Sequence, residues 1–154
     1  MSLDYQSHRH QAERFAVVKV PLSRMDRVWH HAAPFILVGM TVAPELRIDD
    51  IVDGLADESI QLWLVLDKME IIGAFLTSIE RDKGDWVVSL YALGGSGAKG
   101  WLATCDQMMS TFAKHEGAAR VRMCGRKAWT RLLPKDFAVT GERGGHNIYE
   151  RAVQ

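Results

Sequence analysis

A glycine-rich stretch at positions 94–100, GGSGAKG, is the part of this chain whose residue types most directly suggest a binding site. It follows a run of strand-forming residues and leads into a run with helical periodicity. Backbone N–H groups at such a helix start can face an anion such as a phosphate, and glycines let the backbone approach it closely. No Gly-Lys-Ser/Thr sequence follows, and no parallel unit is expected around it, which excludes the P-loop and dinucleotide fingerprints. The stretch is either an anion cradle or a flexible connection.

The histidines and cysteines predict no metal site and no nucleophilic catalysis. His30 and His31 are adjacent, so on a helix they point about 100° apart and cannot chelate one metal as an i, i+4 pair can. Cys105 and Cys124 both fall on expected core positions. Two cysteines are also too few for a disulfide scaffold or a zinc knuckle.

The charge balance limits the classes of partner. Nineteen Lys and Arg residues against nineteen Asp and Glu residues give a formal net charge of zero, which argues against bulk electrostatic binding to nucleic acid or to an anionic membrane. No apolar run approaches the roughly 18 residues of a membrane span, and the first residues lack the apolar centre of a secretory signal. We therefore expect a cytoplasmic protein. Several basic residues come late in the chain and could contact phosphates, DNA or an acidic partner, although a solvated surface is the simplest explanation for each: Arg120, Arg122, Arg126, Lys127 and Arg131.

The elements that must position these residues mix strand and helix patterns. Residues 1–14 are polar and aperiodic and predict a flexible tail, before a single domain at residues 15–154. The domain begins with a short strand, continues with a helix that Pro34 ends or kinks, and then has an amphipathic helix from residue 48. An antiparallel meander follows, with strands at residues 61–66, 71–80 and 86–93. Beyond the glycine-rich stretch we predict a long helix from residue 101, a strand at 119–124, a short helix at 126–133 and a closing hairpin.

This order of elements, with the glycine-rich stretch between meander and long helix, resembles the GNAT superfamily (Gcn5-related N-acetyltransferases). In that family a Gln/Arg-x-x-Gly-x-Gly/Ala pattern cradles the pyrophosphate of acetyl-coenzyme A. The sequence ALGGSG at positions 92–97 has both glycines but Ala92 at the Gln/Arg position, and Lys99 could replace that charge. The resemblance implies an α+β fold with a mostly antiparallel, splayed mixed sheet flanked by helices. It also implies acetyl-coenzyme A as co-substrate, bound by Leu93, Gly94, Gly95, Ser96, Gly97, Ala98, Lys99 and Gly100.

The resemblance further implies catalytic residues, with one departure. Many members carry a tyrosine, in a Tyr-x-x-x-Gly-Phe run, that protonates the leaving thiolate. The corresponding position here is Leu132, which cannot donate a proton. Tyr91, Ser89 or water must then take that role, or the reaction does not occur. Glu80, at the end of a central strand, is the implied general base, although the residues alone favour an exposed strand-end carboxylate there.

Two functions follow from the resemblance. The first is an acyltransferase that moves an acetyl group from acetyl-coenzyme A to an amine acceptor. The second depends on the segments Gly125-Arg126-x-x-Trp129 and Gln61-Leu62-Trp63, which resemble signatures of GNAT-like proteins encoded by phages and prophages. It is a catalytically inactive virion component or assembly factor that binds copies of itself or other virion proteins.

Overall fold

The structure of the protein, a computed structural model, describes residues 14–42 and 46–153. The predicted tail therefore lies outside the described residues except for Arg14, whose guanidinium pairs with the Asp67 carboxylate at 2.7 Å. The strands in the described part are β1 (Phe15–Lys19), β2 (Ile60–Asp67), β3 (Glu70–Asp82), β4 (Asp85–Gly95), β5 (Arg120–Gly125), β6 (Ala138–Arg143) and β7 (His146–Ala152). The α-helices are α1 (Met25–Gly39), α2 (Ile48–Ala56) and α3 (Ala98–His115), and short 3-10 segments lie at Leu22–Arg24, Met40–Val42 and Lys127–Arg131.

The strands form one sheet in the order β1-β2-β3-β4-β5-β7-β6. The predicted meander is confirmed, since β2, β3 and β4 are antiparallel neighbours joined by tight turns. Strands β4 and β5 run parallel because α3 crosses between them, and their register extends only from Val87↔Arg120 to Leu90↔Met123. The remaining pairs are antiparallel. The predicted fold class, a mostly antiparallel mixed sheet flanked by helices, is confirmed.

Side chains on the two faces of the sheet build two hydrophobic cores. Under α3 the core includes Phe75, Trp101 and Tyr149, which are fully or almost fully buried. Under α1 and α2 it includes Ile36 and Leu76. Phe75 and Leu76 are consecutive on β3 and reach opposite cores, as the alternation of side chains along a strand requires. No described helix is both long and apolar enough to cross a membrane.

Two helix predictions differ from the structure. Pro34 lies inside α1, which runs without a break from Met25 to Gly39. Proline removes one backbone hydrogen bond, but the adjacent turns carry the fully buried Ala32 and Ile36, and we attribute the continuous helix to this packing. The short helix predicted at residues 126–133 is a 3-10 segment, Lys127–Arg131, and the Tyr149 hydroxyl donates a 2.8 Å hydrogen bond to the Arg126 carbonyl at its start.

Candidate functional site

A cleft opens in the sheet where β4 and β5 separate. The two strands are paired as far as Leu90 and Met123, and beyond that point they diverge around a cavity of about 110 Å³. One wall comes from the end of β4, the start of α3 and the C-terminal end of α1. The opposite wall comes from residues 123–126 and Trp129. The short register of the parallel pair is therefore what creates the cleft.

Strand β4 has a β-bulge in the cleft wall. Between the pairs made by Tyr91 and Gly94, β4 has one residue more than β3, so that Ala92 and Leu93 together face Phe75. Ala92 has a φ of 54°, in the left-handed region that an alanine seldom adopts. A bulge takes backbone groups out of the ladder of strand hydrogen bonds. Here those groups border the cleft.

Helix α1 packs directly against this bulge through two glycines. A Cβ on Gly39 would overlap the carbonyl group of Ala92 and lie 2.6 Å from the Leu93 nitrogen. A Cβ on Gly94 would overlap the carbonyl group of Phe35. Backbone therefore contacts backbone on both sides, which only glycine allows. The helix fixes the position of the bulge.

The connection from β4 into α3 is short and well held. The Ser96 N–H donates to the Ile72 carbonyl at 3.2 Å, and the Trp101 indole N–H donates to the Ser96 carbonyl at 2.8 Å. Gly97 is the N-cap of α3 with a φ of 70°, and a Cβ there would meet no atom within 4 Å. No side chain caps α3, and its first turn contains Lys99 and no acidic residue. Its free N–H groups and positive dipole end can therefore face an anion.

The predicted coenzyme-binding residues divide into two groups around the cleft. Those that line the cavity are Leu93, Gly94, Gly95 and Ala98. The others follow within the connection and the first turn of α3: Ser96, Gly97, Lys99 and Gly100. The stretch is therefore not a seven-residue loop, because two of its glycines belong to β4 and its last three residues belong to α3.

Tyr91, Ser78 and Glu80 are neighbours across β3 and β4. The Ser78 hydroxyl donates a 2.9 Å hydrogen bond to Oε2 of Glu80, whose side chain is about half exposed, at 49%. Burial raises the pKa of the Tyr91 phenol, hydrogen bonding with Ser78 lowers it, and the Glu80 charge raises it further, with a net upward shift. The phenol therefore stays protonated at neutral pH. The structure brings the two predicted catalytic residues, Glu80 and Tyr91, together around Ser78, a residue that the sequence analysis did not single out.

Two arginines of β5 lie beside Glu80 in a cluster of charged groups. Arg122 contacts Oδ2 of Asp82 at 2.8 Å and Oε2 of Glu150 at 2.7 Å, and its Nη1 lies 4.0 Å from Oε1 of Glu80. Arg120 contacts the same Asp82 oxygen at 2.9 Å. Both arginines were predicted to be solvated surface residues. They are instead partly buried and paired with carboxylates, which positions one guanidinium near Glu80.

No protein-family model matches the sequence, and no curated protein matches it. Solved structures do. A probable acetyltransferase from Staphylococcus epidermidis matches with a TM-score of 0.65 at 8% identity, over 91% of this chain and 99% of that one. An N-acyl amino acid synthase from uncultured soil microbes matches with a TM-score of 0.61 at 9% identity, over 90% of each chain. The PaiA N-acetyltransferase of Thermoplasma acidophilum, in complex with coenzyme A, matches with a TM-score of 0.55 at 13% identity, over 90% and 98%.

The chain has the GNAT fold. At these low sequence identities the structural similarity establishes the fold alone. Any inference about activity must be based on the residues of this chain. The cleft between β4 and β5 thus lies in a GNAT-type sheet. The start of α3, which borders the cleft, contains part of the coenzyme-binding pattern that the GNAT resemblance predicted.

The GNAT tyrosine position lies in the segment after β5. Leu132 follows the 3-10 segment Lys127–Arg131 and is 39% exposed. The cleft wall in this region is formed by Trp129 instead. Leu132 has no proton to donate, whereas the phenol-bearing Tyr91 lines the cavity from β4.

The opposite wall also contributes residues that the sequence analysis did not assign to a site. Arg126 lines the cavity across from Gly94 and Gly95, and its exposed side chain makes no ion pair with the described residues. Lys99, the predicted replacement for the missing Gln/Arg charge, is exposed on α3 and does not line the cavity. The segment Gly125-Arg126-x-x-Trp129 was a visible signal, but only the fold places it opposite the glycines.

The cysteines occupy two different environments. Cys105 is buried in the core under α3, as predicted, and burial raises the pKa of its thiol. Cys124 was also predicted to be a core residue, but it lines the cleft and is only partly buried. The pairing of β4 with β5 ends one residue earlier, at Met123, so that β4 does not cover Cys124. Within the described residues no group of His, Cys, Asp and Glu side chains could hold a metal ion.

Proposed function

We propose that this protein binds an acyl-coenzyme A, acetyl-coenzyme A being the expected form, and transfers the acyl group to an amine acceptor. The observation that carries the proposal is the cleft where β4 and β5 separate, bordered by the uncapped, glycine-rich start of α3. The PaiA N-acetyltransferase, solved with coenzyme A, has the same fold.

The residues around the start of α3 fit the pyrophosphate of a coenzyme. The position of a Cβ on Gly97 is open space, so a ligand can approach the backbone there. The first turn of α3 offers N–H groups and the positive end of the helix dipole, without an acidic side chain to repel phosphate. Lys99 on this side and Arg126 across the cleft supply positive charge, in place of the Gln/Arg side chain that Ala92 lacks.

The β4 bulge and the side chains of Glu80 and Tyr91 fit the transfer step. The bound coenzyme supplies an acyl group activated as a thioester. Backbone groups freed by the bulge at Ala92 and Leu93 can donate to the acyl carbonyl and polarise it. Glu80 accepts the proton that the attacking amine must lose, and Tyr91, protonated at neutral pH, donates a proton to the departing thiolate.

Calorimetry with coenzyme A tests the binding half of the proposal. We expect micromolar affinity for the wild-type protein, about −8 kcal/mol, and weaker binding by Gly97→Glu. Two unit charges about 6 Å apart in water repel by roughly 0.7 kcal/mol, so a new carboxylate near a doubly charged pyrophosphate costs about 1.4 kcal/mol, or about tenfold in affinity.

Gly84→Glu is the matched control. Gly84 lies in the β3–β4 turn with a φ of 83°, and a Cβ there also meets no atom within 4 Å. Both variants therefore carry the same backbone strain and the same added charge, but only Gly97 is next to the cleft. Equal coenzyme affinity in the two variants would contradict the site. No binding by the wild type at millimolar coenzyme would overturn the proposal and favour the inactive virion component, which predicts binding to virion proteins.

A further inference from the structure

Ser78 lies between the two residues to which the acyl transfer assigns proton chemistry. It belongs to β3, two residues before Glu80, and side chains two apart on a strand share a face. Tyr91 pairs with Leu76, which also shares that face, so that Ser78 and Tyr91 are diagonal cross-strand neighbours. The serine hydroxyl donates to Oε2 of Glu80 at 2.9 Å, and the strand register places Ser78 diagonally beside Tyr91, whose pKa it lowers. Sheet geometry therefore holds the three side chains in a row.

We propose that Ser78 links Glu80 and Tyr91 into one proton relay, so that the proton taken from the amine is the one returned to the leaving thiolate. This proposal rests on the proposed acyl transfer. Ser78 is a positioning residue in it, since it acts through Tyr91 and Glu80 and not on the substrate.

The relay balances within the reaction. The amine nitrogen forms its bond to the acyl carbon and loses a proton to the Glu80 carboxylate. The carbon–sulfur bond breaks, and Tyr91 gives its phenolic proton to the thiolate. The Glu80 proton passes to the Ser78 oxygen while the Ser78 proton passes to the Tyr91 oxygen, which restores all three residues. The products are an amide and a free thiol, and no outside acid or base is consumed.

The surroundings of Glu80 provide one nearby cation and one hydroxyl donor. On β5, Arg122 lies 4.0 Å from Oε1 of Glu80, so this oxygen has a cation nearby while the other accepts from Ser78. The other carboxylates in this cluster already form ion pairs with Arg120 or Arg122: Asp82, Asp85 and Glu150. Helices α1 and α2 contribute no ion pair to Glu80 among the described residues.

The test measures thiol release from acetyl-coenzyme A, with water and with a set of primary amines as acceptors, beside coenzyme A affinity by calorimetry. We expect Ser78→Ala to lower kcat by about 10- to 100-fold with KM and coenzyme affinity unchanged, and Ser78→Thr, which keeps the hydroxyl, to stay within about threefold of wild type. In the Tyr91→Phe background, Ser78→Ala should cost nothing further, because the relay is already cut. Glu80→Gln should lower kcat at least as much as Ser78→Ala, because it removes the proposed base.

Each contrary outcome is distinct. The relay is overturned if Ser78→Ala leaves kcat unchanged, if it costs as much in the Tyr91→Phe background as in the wild type, or if Ser78→Thr fails to restore the rate. A larger loss in Ser89→Ala than in Ser78→Ala would also overturn it. Coenzyme binding without thiol release to any acceptor overturns the relay and leaves the coenzyme site intact. Absence of coenzyme binding overturns the proposed function itself.

Discussion

Replacing Gly39 by alanine is the sharpest test of how α1 and the β4 bulge fit together. A Cβ at this position would lie 2.6 Å from the Leu93 nitrogen and would overlap the Ala92 carbonyl. Ordinary contacts of a Cβ begin near 3.4 Å, so the helix and the strand must separate by roughly 0.8 Å or more. The atoms in the way are backbone atoms of a sheet, and no change of side-chain rotamer can move them.

The expected cost follows from two opposing effects. Overpacking of a well-packed interior costs about 1–3 kcal/mol, whereas alanine gains at most about 1 kcal/mol over glycine in a helix. We expect Gly39→Ala to lose about 2 kcal/mol of unfolding free energy, or about 4–8 °C in Tm for a chain of this size. Coenzyme A binding should weaken as well, since the displaced bulge forms a wall of the cleft.

Urea denaturation and calorimetry check both effects, with Gly54→Ala as the control. Gly54 is also a buried helix glycine, but the atoms that a Cβ would meet belong to the Ile60 side chain, which can rearrange. We expect this control to stay within about 1 kcal/mol of wild type and to bind coenzyme normally. If Gly39→Ala is as stable as Gly54→Ala, the close backbone contact between α1 and the bulge is refuted.

Two further predictions concern side chains outside the bulge. Iodoacetamide should modify Cys124 in the native protein, and coenzyme A should slow this reaction because Cys124 lines the cleft. Cys105 should react only on unfolding, because burial, assisted by the Asp106 charge, raises the pKa of its thiol. Equal modification rates of the two cysteines, measured by mass spectrometry, would contradict this prediction. Arg151→Ala should lower the free energy of unfolding by about 3 kcal/mol, measured by urea denaturation. The arginine side chain is 2% exposed and contacts Asp106 at 2.7 Å, so its removal leaves this carboxylate without its partner. A loss below about 1 kcal/mol would show that the pair contributes little.

The sequence was sufficient to predict the elements that depend on local patterns. The meander, the helix after the glycines and the closing hairpin follow from alternation, periodicity and turn residues, which are properties of short segments. Pro34 shows the limit of that reasoning. A proline is unfavourable within a helix when local bonding alone is considered, but the burial of Ala32 and Ile36 on either side outweighs the lost hydrogen bond.

The cleft itself could be predicted only in part. Its glycine wall was visible in the sequence because the glycines are consecutive. The position of the opposite wall could not be predicted, because Arg126 and Trp129 reach the cleft only through the parallel pairing of β4 with β5 across the intervening α3. The bulge at Ala92 has no local signal either, since an alanine with positive φ is held there by its neighbours.

At the position of the GNAT tyrosine this chain has Leu132, and its cleft-lining phenol is Tyr91 on β4. A tyrosine after β5 can protonate a thiolate only if its segment holds the side chain over the cleft, and here that segment is a 3-10 turn whose cleft position is filled by Trp129. Strands β3 and β4 offer a more rigid alternative, because cross-strand neighbours keep Tyr91, Ser78 and Glu80 in register without relying on a helix. In the proposed mechanism this register also places the proton donor, Tyr91, near the base, Glu80. The proposed relay therefore depends on Tyr91, the only cleft-lining phenol among the described residues.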